Sequence, residues 1–165
     1  MPTYKQVDLN YFDTAPVRGC IRQTLQASAE DTFACFEDPA AWPHWIDPID
    51  KVVWNTHKPF GVGTTRDIYI GKKRVSEYFF HWEHNQRFAF YFKEGELTMR
   101  GFAEDYQLKP LSPESCEVIW RYAFELPGLL RLLHPLARLV MPGIGKKWFK
   151  QLAHYMQSGP PAIRR

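Results

Sequence analysis

The chain has 165 residues, of which 45% are hydrophobic, 24% are charged and 16% are aromatic, and its net charge is +3. This length fits one domain with its own core, and the composition excludes an intrinsically disordered chain. The 18 acidic residues are interleaved with the 21 Lys and Arg, so we expect no nucleic-acid partner. The aromatic share exceeds what a small core needs, which favours a lined cavity or an interface.

Cysteine usage and the N-terminal composition predict a cytoplasmic protein. Cys20, Cys35 and Cys116 form no CxxC motif and cannot all pair, which is typical of a reducing compartment. The first residues are polar and acidic where a signal peptide has an apolar segment. No apolar run approaches the roughly 18 residues that a membrane span requires.

The first predicted elements are an arm, a strand and two short helices. Residues 1–17 are polar, contain two prolines and are expected to form a loosely ordered N-terminal arm. Residues 18–27 alternate apolar and polar side chains as a strand does. Ser28 can then cap a short helix that Pro39 interrupts, and a second helical turn, PAAWPHW, ends at Asp47.

The middle of the chain predicts an antiparallel meander, because turn signals separate consecutive strand-like runs. These signals are GVG at residues 61–63, Gly71, His84-Asn85, Glu94-Gly95 and the prolines at 110 and 113. They delimit six strands over residues 49–55, 64–70, 73–83, 86–93, 97–109 and 115–126.

The C-terminal part changes to a helical pattern. Residues 126–157 are Leu-rich with few β-branched residues, so they predict a long helix, which Pro135, Pro142 and nearby glycines are expected to interrupt. Leucines occur in nearly every direction around the helix axis over residues 129–140, which predicts contacts beyond the sheet. Residues 158–165 are expected to be a disordered tail.

This order of elements predicts an α+β fold in which a curved antiparallel sheet of seven strands wraps around the long C-terminal helix. The segments SAEDTFACFEDPAAWPHW, GVGTTR and VSEYFFHWEHNQRFAF, with the C-terminal helix, carry a resemblance to a known group. Over residues 18–157 the chain resembles the START-like, SRPBCC superfamily, which has the helix-grip fold. The resemblance implies a ligand-binding domain in a group that includes lipid carriers and polyketide cyclases.

Strand alternation selects the side chains that face the predicted cavity. Arg100 and Glu104 share a strand face with the apolar Phe102, so both charged groups are predicted to point inward. A bulge near Gly101 would instead return them to solvent. The predicted ligand-binding residues are Trp45, Phe88, Phe90, Arg100, Phe102, Glu104, Tyr106, Trp120 and Tyr122.

The length of the hairpin loop at residues 84–85 decides which side chains of the preceding strand point inward. A two-residue loop pairs His81 with Phe88 and directs His81 and Glu77 inward, whereas one further loop residue reverses both. The opposite face is equally aromatic, so the N-terminal arm or a second subunit would cover it; it comprises Tyr78, Phe80 and Trp82.

Three functions fit these features. In the first, the cavity binds a hydrophobic lipid, isoprenoid or aromatic polyketide-like molecule, which Arg100 and Glu104 orient. In the second, the protein is a cofactor-free cyclase or dehydratase in which Glu77 or Glu104 orients His81 as the catalytic base. In the third, the Leu-rich residues 129–140 dock on another protein, a second copy of the chain or a membrane surface.

The sequence contains no motif for a metal, a cofactor or a hydrolytic nucleophile. His81 and His84 lie three residues apart on a strand and a turn, so their side chains diverge. The GVGTTR glycines are not followed by a predicted helix, so they do not form a phosphate-binding loop. No HExxH or GxSxG motif is present, and we expect neither a metal nor a cofactor.

Overall fold

Residues 1–160, which the computed structural model describes, form one antiparallel sheet that curves around a C-terminal helix. The strands are β1 (Val17–Leu25), β2 (Lys51–Trp54), β3 (Thr65–Ile70), β4 (Lys73–Glu83), β5 (Arg87–Gly95), β6 (Gly101–Ser112) and β7 (Ser115–Glu125). Their order across the sheet is β1-β7-β6-β5-β4-β3-β2. The seven-stranded helix-grip architecture predicted from the sequence is therefore confirmed.

The helices are α1 (Tyr11–Thr14), α2 (Ala29–Glu37) and α3 (His134–Gln157), with short 3-10 helices at Trp42–His44 and Gly128–Leu133. Helix α2 begins after Ser28, whose hydroxyl oxygen accepts a hydrogen bond from the Asp31 N–H at 3.0 Å. The two short helices expected after the first strand are thus confirmed. Within residues 1–160 no helix is both long and apolar enough to cross a bilayer.

Helix α3 is continuous, so the predicted interruptions are wrong. Pro135 lies in the first turn, where a backbone N–H would have no acceptor within the helix. Pro142 lies inside the helix without ending it. At Gly145 a Cβ atom would lie 2.4 Å from Ile21 and 2.6 Å from Trp120. The glycine therefore permits the helix to approach the sheet closely.

The N-terminal arm packs on the outer face of the sheet, so the expectation of a loosely ordered segment is wrong. Tyr11 and Phe12 are buried there in one cluster with Tyr91 of β5. The backbone N–H of Tyr4 donates to the carbonyl oxygen of Lys93 at 3.0 Å. The arm thereby covers Tyr78 and Phe80 of the second aromatic face, whereas Trp82 packs against the main core. Of the predicted tail, residues 161–165 lie outside the described part of the chain.

Two irregularities determine which side chains of β4 point inward. The turn after β4 comprises three residues, 84–86, instead of the two predicted. A bulge between Phe79 and His81 then shifts the register a second time. As a result Glu77 and Phe79 point into the interior, whereas His81 pairs with Ala89 on the outer side of the sheet.

We expect Gly145→Ala to lower the free energy of unfolding by about 1–3 kcal/mol, because the rigid Trp120 indole blocks the new methyl group. Gly143→Ala is the matched control, since a Cβ there meets nothing within 4 Å. Its gain in helix propensity should raise the stability by about 0.5–1 kcal/mol. Urea unfolding measures both effects, and equal stabilisation of the two variants would contradict the close contact at Gly145.

Candidate functional site

A cavity of about 190 Å³ lies between the sheet and helix α3. Its walls are mostly apolar and include Trp42, Ile68, Phe90, Phe102, Met141 and Trp148. The only ionisable side chains among its described lining residues are Arg66, Glu77 and Glu104. The cavity therefore combines an apolar wall with one compact polar region.

Arg66 is buried to an unusual degree for an arginine, with an exposed fraction of 1%. Strand β3 directs it inward, two residues before the buried Ile68. Glu77 lies opposite it on β4, and the Arg66 Nε–H donates a hydrogen bond to the Glu77 carboxylate. Because a buried charge without a counterion is costly, this ion pair is required for the guanidinium to be buried.

Aromatic rings surround the Arg66 guanidinium. Its central carbon lies 4.0 Å from the centroid of a Trp42 ring, and 5.0 to 5.2 Å from the rings of Phe90, Phe79 and Trp54. These cation–π contacts offset part of the hydration that burial removes. The Nη1 atom is nevertheless buried without a hydrogen-bond partner in the described part of the chain. Arg66, which lines the cavity, therefore has one strong donor that is unused.

Glu104 supplies the third ionisable group of the polar region. Its carboxyl oxygen accepts a hydrogen bond from the Tyr106 hydroxyl at 2.6 Å. The Trp120 indole N–H lies near this carboxyl group without reaching hydrogen-bond geometry. Burial raises the pKa of Glu104 from 4.5 to about 7, although the Tyr106 hydrogen bond lowers it, and the Glu77 carboxyl group adds to the increase. Both protonation states of Glu104 are therefore populated near neutral pH.

The charges of the three ionisable groups balance when Glu104 is protonated. Burial also raises the pKa of Glu77, and attraction to Arg66 opposes that increase. With Arg66 and Glu77 paired as ions, a protonated Glu104 leaves the polar region uncharged. Among residues 1–160 no three His, Cys, Asp or Glu side chains form a group able to hold a metal ion.

Asp105 shows how strand alternation separates two neighbouring carboxyl groups. It follows Glu104 in sequence but points to the opposite side of the sheet, where Arg87 and Arg121 approach its oxygens at 2.9 and 2.8 Å. Its hydrogen-bond capacity is met by these arginines and by Gln107. Asp105 therefore holds strands together, whereas Glu104 has a single hydrogen-bond donor and faces the cavity.

The structure divides the predicted ligand-binding residues into two groups. Phe90, Phe102 and Glu104 line the cavity. The others that point inward lie in the packed core beside it; they are Trp45, Phe88, Tyr106, Trp120 and Tyr122. The stacked rings of Phe88 and Tyr106, 4.8 Å apart, illustrate this packing role.

Arg100 lies outside the cavity, so the prediction that it points inward is wrong. Strand β6 begins only at Gly101, and Arg100 belongs to the preceding loop. Its side chain is 52% exposed, and its Nε lies 3.7 Å from a carboxylate oxygen of Glu125. Side chains alternate in direction only within a strand, and Arg100 precedes the strand, so its direction does not follow from that of Phe102.

His81 is separated from Glu77, so the predicted catalytic pair does not form. The bulge in β4 places His81 on the outer side of the sheet, where its Nε2 lies 2.8 Å from a carboxylate oxygen of Glu83. Glu77 points to the interior and pairs with Arg66. The group at the cavity whose pKa is raised to about 7 is instead the carboxyl group of Glu104.

Arg66 is the most important cavity residue that was not predicted from the sequence. A signal for it exists, because Arg66, Ile68 and Ile70 alternate along β3 and share one face. Met141 and Trp148 have no comparable signal, since the apolar residues of α3 do not reveal which face of the helix meets the cavity.

The family follows from comparison with known proteins. The family described as polyketide cyclase / dehydrase and lipid transport matches residues 21–157. The chain belongs to this family. The match also confirms the START-like, SRPBCC resemblance. Uncharacterized proteins of Mycobacterium tuberculosis and Mycobacterium bovis are each 34% identical to this family member over 157 residues, covering 92% of this chain and 91% of theirs.

Solved structures share the fold of this family member at low sequence identity. A START superfamily protein from Mycobacterium smegmatis has a TM-score of 0.70 at 15% identity, covering 86% of this chain and 97% of that chain. A protein from Thermus thermophilus has a TM-score of 0.68 at 16% identity, covering 87% and 99%. The di-domain ARO/CYC BexL from the BE-7585A biosynthetic pathway has a TM-score of 0.66 at 16% identity, covering 87% and 48%.

The raised pKa of Glu104 makes the stability depend on pH. The folded state binds this proton more tightly than the unfolded chain, so the resulting stability is fully present below about pH 4.5 and is lost as the pH rises through about 7. Glu104→Gln removes the ionisation and keeps an acceptor for Tyr106. We expect this variant to be more stable than the wild type by about 1–3 kcal/mol near pH 8, with little difference near pH 4.5.

Urea unfolding at both pH values measures this difference. Glu114→Gln, at an exposed position in a turn, is the matched control and should leave the pH dependence of the wild type unchanged. A Glu104→Gln variant that is less stable than the wild type near pH 8 would contradict the assignment.

Proposed function

We propose that the protein binds a compact hydrophobic molecule carrying one carbonyl or hydroxyl oxygen. The observation that carries this proposal is the buried, unpartnered Nη1 of Arg66, a residue that lines a mostly apolar cavity. A buried donor without an acceptor costs free energy, and a ligand oxygen at this position would remove that cost. The ligand's hydrocarbon part would contact the apolar wall, including Ile68 and Phe102.

The cavity volume supports a small ligand. The 190 Å³ available exceeds the roughly 150 Å³ cavity that holds a benzene molecule. It lies below the roughly 300–1,000 Å³ of sites for drug-sized ligands. A single ring or a short branched chain fits these dimensions, whereas a complete lipid chain or a multi-ring polyketide is larger than the cavity.

The ionisable groups favour a neutral ligand over an anionic one. Arg66 can donate to a carbonyl or hydroxyl oxygen, and Glu104 can donate when protonated or accept from a hydroxyl group when ionised. A ligand carboxylate would add a negative charge beside Glu77 and an ionised Glu104 in a region of low dielectric constant. Binding of a carboxylate ligand should therefore weaken as the pH rises.

A panel of matched ligands tests the proposal. We expect wild-type protein to bind cyclohexanone and phenol at least about tenfold more tightly than methylcyclohexane and toluene, because a hydrogen bond to a charged group is worth about 1.5–3 kcal/mol. The double variant Arg66→Met/Glu77→Met removes the donor without leaving a buried unpaired charge or introducing a new donor. It should lose this preference and bind the hydrocarbons as the wild type does.

Isothermal titration calorimetry measures these affinities, and thermal melting confirms that the variants fold. Ile68→Phe provides a separate control, because a larger side chain in the wall should occlude the cavity and abolish binding of every ligand. The proposal fails if the wild type binds none of these ligands or if the double variant keeps the preference for oxygen-bearing ones.

A second candidate function, a cofactor-free cyclase or dehydratase, is supported by the combination of Arg66 and Glu104. A carboxylate whose pKa lies near 7 is suited to remove a proton next to a carbonyl group. The unused Arg66 donor could stabilise the negative charge that develops on the carbonyl oxygen. Glu104 would take the role that the sequence suggested for His81.

Deuterium exchange distinguishes the enzyme from the carrier. If Glu104 acts as a base, the protein should accelerate exchange of the protons next to the cyclohexanone carbonyl in D₂O, with a rate that increases through about pH 7. Glu104→Gln should abolish the acceleration while retaining cyclohexanone binding. Binding of cyclohexanone by the wild type without exchange above the buffer rate would refute the enzyme and leave the carrier.

A further inference from the structure

The C-terminal segment presents an uncovered apolar surface. Four leucines there have exposed fractions between 57% and 86%. We call them the leucine patch; they are Leu129, Leu132, Leu136 and Leu139. They lie on the 3-10 helix Gly128–Leu133 and on the first turns of α3. A contiguous apolar surface on a globular domain marks an interaction site, because its exposure to water is unfavourable.

The exposed face of α3 continues from leucines into lysines. One stripe of the helix carries Leu136, Leu139, Lys147 and Lys150. From residue 136 to residue 150 this stripe is about 21 Å long, at 1.5 Å per residue. Lys147 pairs with Asp47 at 2.8 Å. No ion pair is found for Lys146 or Lys150 within residues 1–160, although both are exposed. The stripe is thus apolar at its start and basic at its end.

The basic and acidic parts of the chain meet where the C-terminal segment begins, at residue 126. Residues 126–165 contain seven Lys and Arg and no acidic residue, giving +7. All 18 acidic residues precede them, so residues 1–125 have a net charge of −4. The leucine patch therefore lies in the one strongly basic part of the chain.

We propose that this face docks on an anionic membrane surface, with the leucine patch at the boundary of the acyl chains and Lys146 and Lys150 at the lipid phosphates. An interfacial helix binds through buried apolar area together with attraction to anionic lipids, and this face offers both. A second copy of the chain fits less well, because its basic segment would face an equally basic one.

Docking would also bring the cavity close to the source of hydrophobic ligands. Met141 and Trp148 line the cavity from α3, the same helix whose opposite stripe would contact the bilayer. The docking proposal does not depend on the proposed ligand, since vesicles alone test it.

Vesicle flotation tests the proposal with full-length protein. We expect binding to phosphatidylcholine vesicles that contain about one-third phosphatidylglycerol, and little binding to phosphatidylcholine alone. Two double variants should each weaken binding at least about tenfold: the leucine variant Leu132→Ser/Leu139→Ser and the lysine variant Lys146→Gln/Lys150→Gln. About 1 M salt should weaken binding of the wild type by screening the lysines.

Matched variants control for loss of surface leucine or lysine in general. Val62→Ser/Leu111→Ser and Lys72→Gln/Lys73→Gln change exposed residues far from α3 in sequence and should bind as the wild type does. Thermal melting checks that every variant folds. The proposal is refuted if the wild type does not float with anionic vesicles, or if the control variants lose binding equally. It is also refuted if the leucine variant binds the vesicles as the wild type does and loses only self-association or binding of an acidic protein.

Discussion

The burial of the Arg66 guanidinium is the constraint on which the arrangement of the interior depends. A charge with 1% exposure needs compensation, and Glu77 on the next strand and the Trp42 ring provide it. The compensation is incomplete, because Nη1 has no acceptor in the described chain. The same water-poor surroundings, with the Glu77 carboxyl group nearby, raise the pKa of Glu104 to about 7. An apolar cavity with a donor and a titratable carboxyl group follows from these conditions.

The two activities in the family description, lipid transport and cyclisation or dehydration, need the same first step. In this chain, either would require that a hydrophobic molecule enters the cavity between the sheet and helix α3 and that a polar group there orients it. They differ in whether a side chain then moves a proton, and under our proposal Glu104 would be the group that does so in this chain. Under the proposed function, the small cavity limits the ligand to a compact molecule. The exposed face of α3 is a separate property of the same helix.

The regular parts of the fold could be predicted from the sequence because antiparallel strands with short turns have a clear two-residue period. The inward direction of Phe90 and Glu104 follows from that period. The two-residue period does not predict the direction of the His81 side chain, because a bulge shifts the register there. It does not predict that of Arg100 either, because Arg100 precedes the strand. The pairing of Arg66 with Glu77 depends on the register between two strands, which no local pattern specifies.

A crystal structure of the protein soaked with 4-bromophenol directly tests whether Arg66 Nη1 binds a ligand oxygen in the cavity, because the anomalous signal of bromine locates the ligand. We expect the bromine atom against the apolar wall near Ile68 and Phe102, and the phenol oxygen within about 3.2 Å of Arg66 Nη1. A cavity closed by side chains, or a ligand bound only elsewhere on the protein, would contradict ligand binding at Arg66. A ligand in the cavity with its oxygen turned away from Arg66 would contradict it as well.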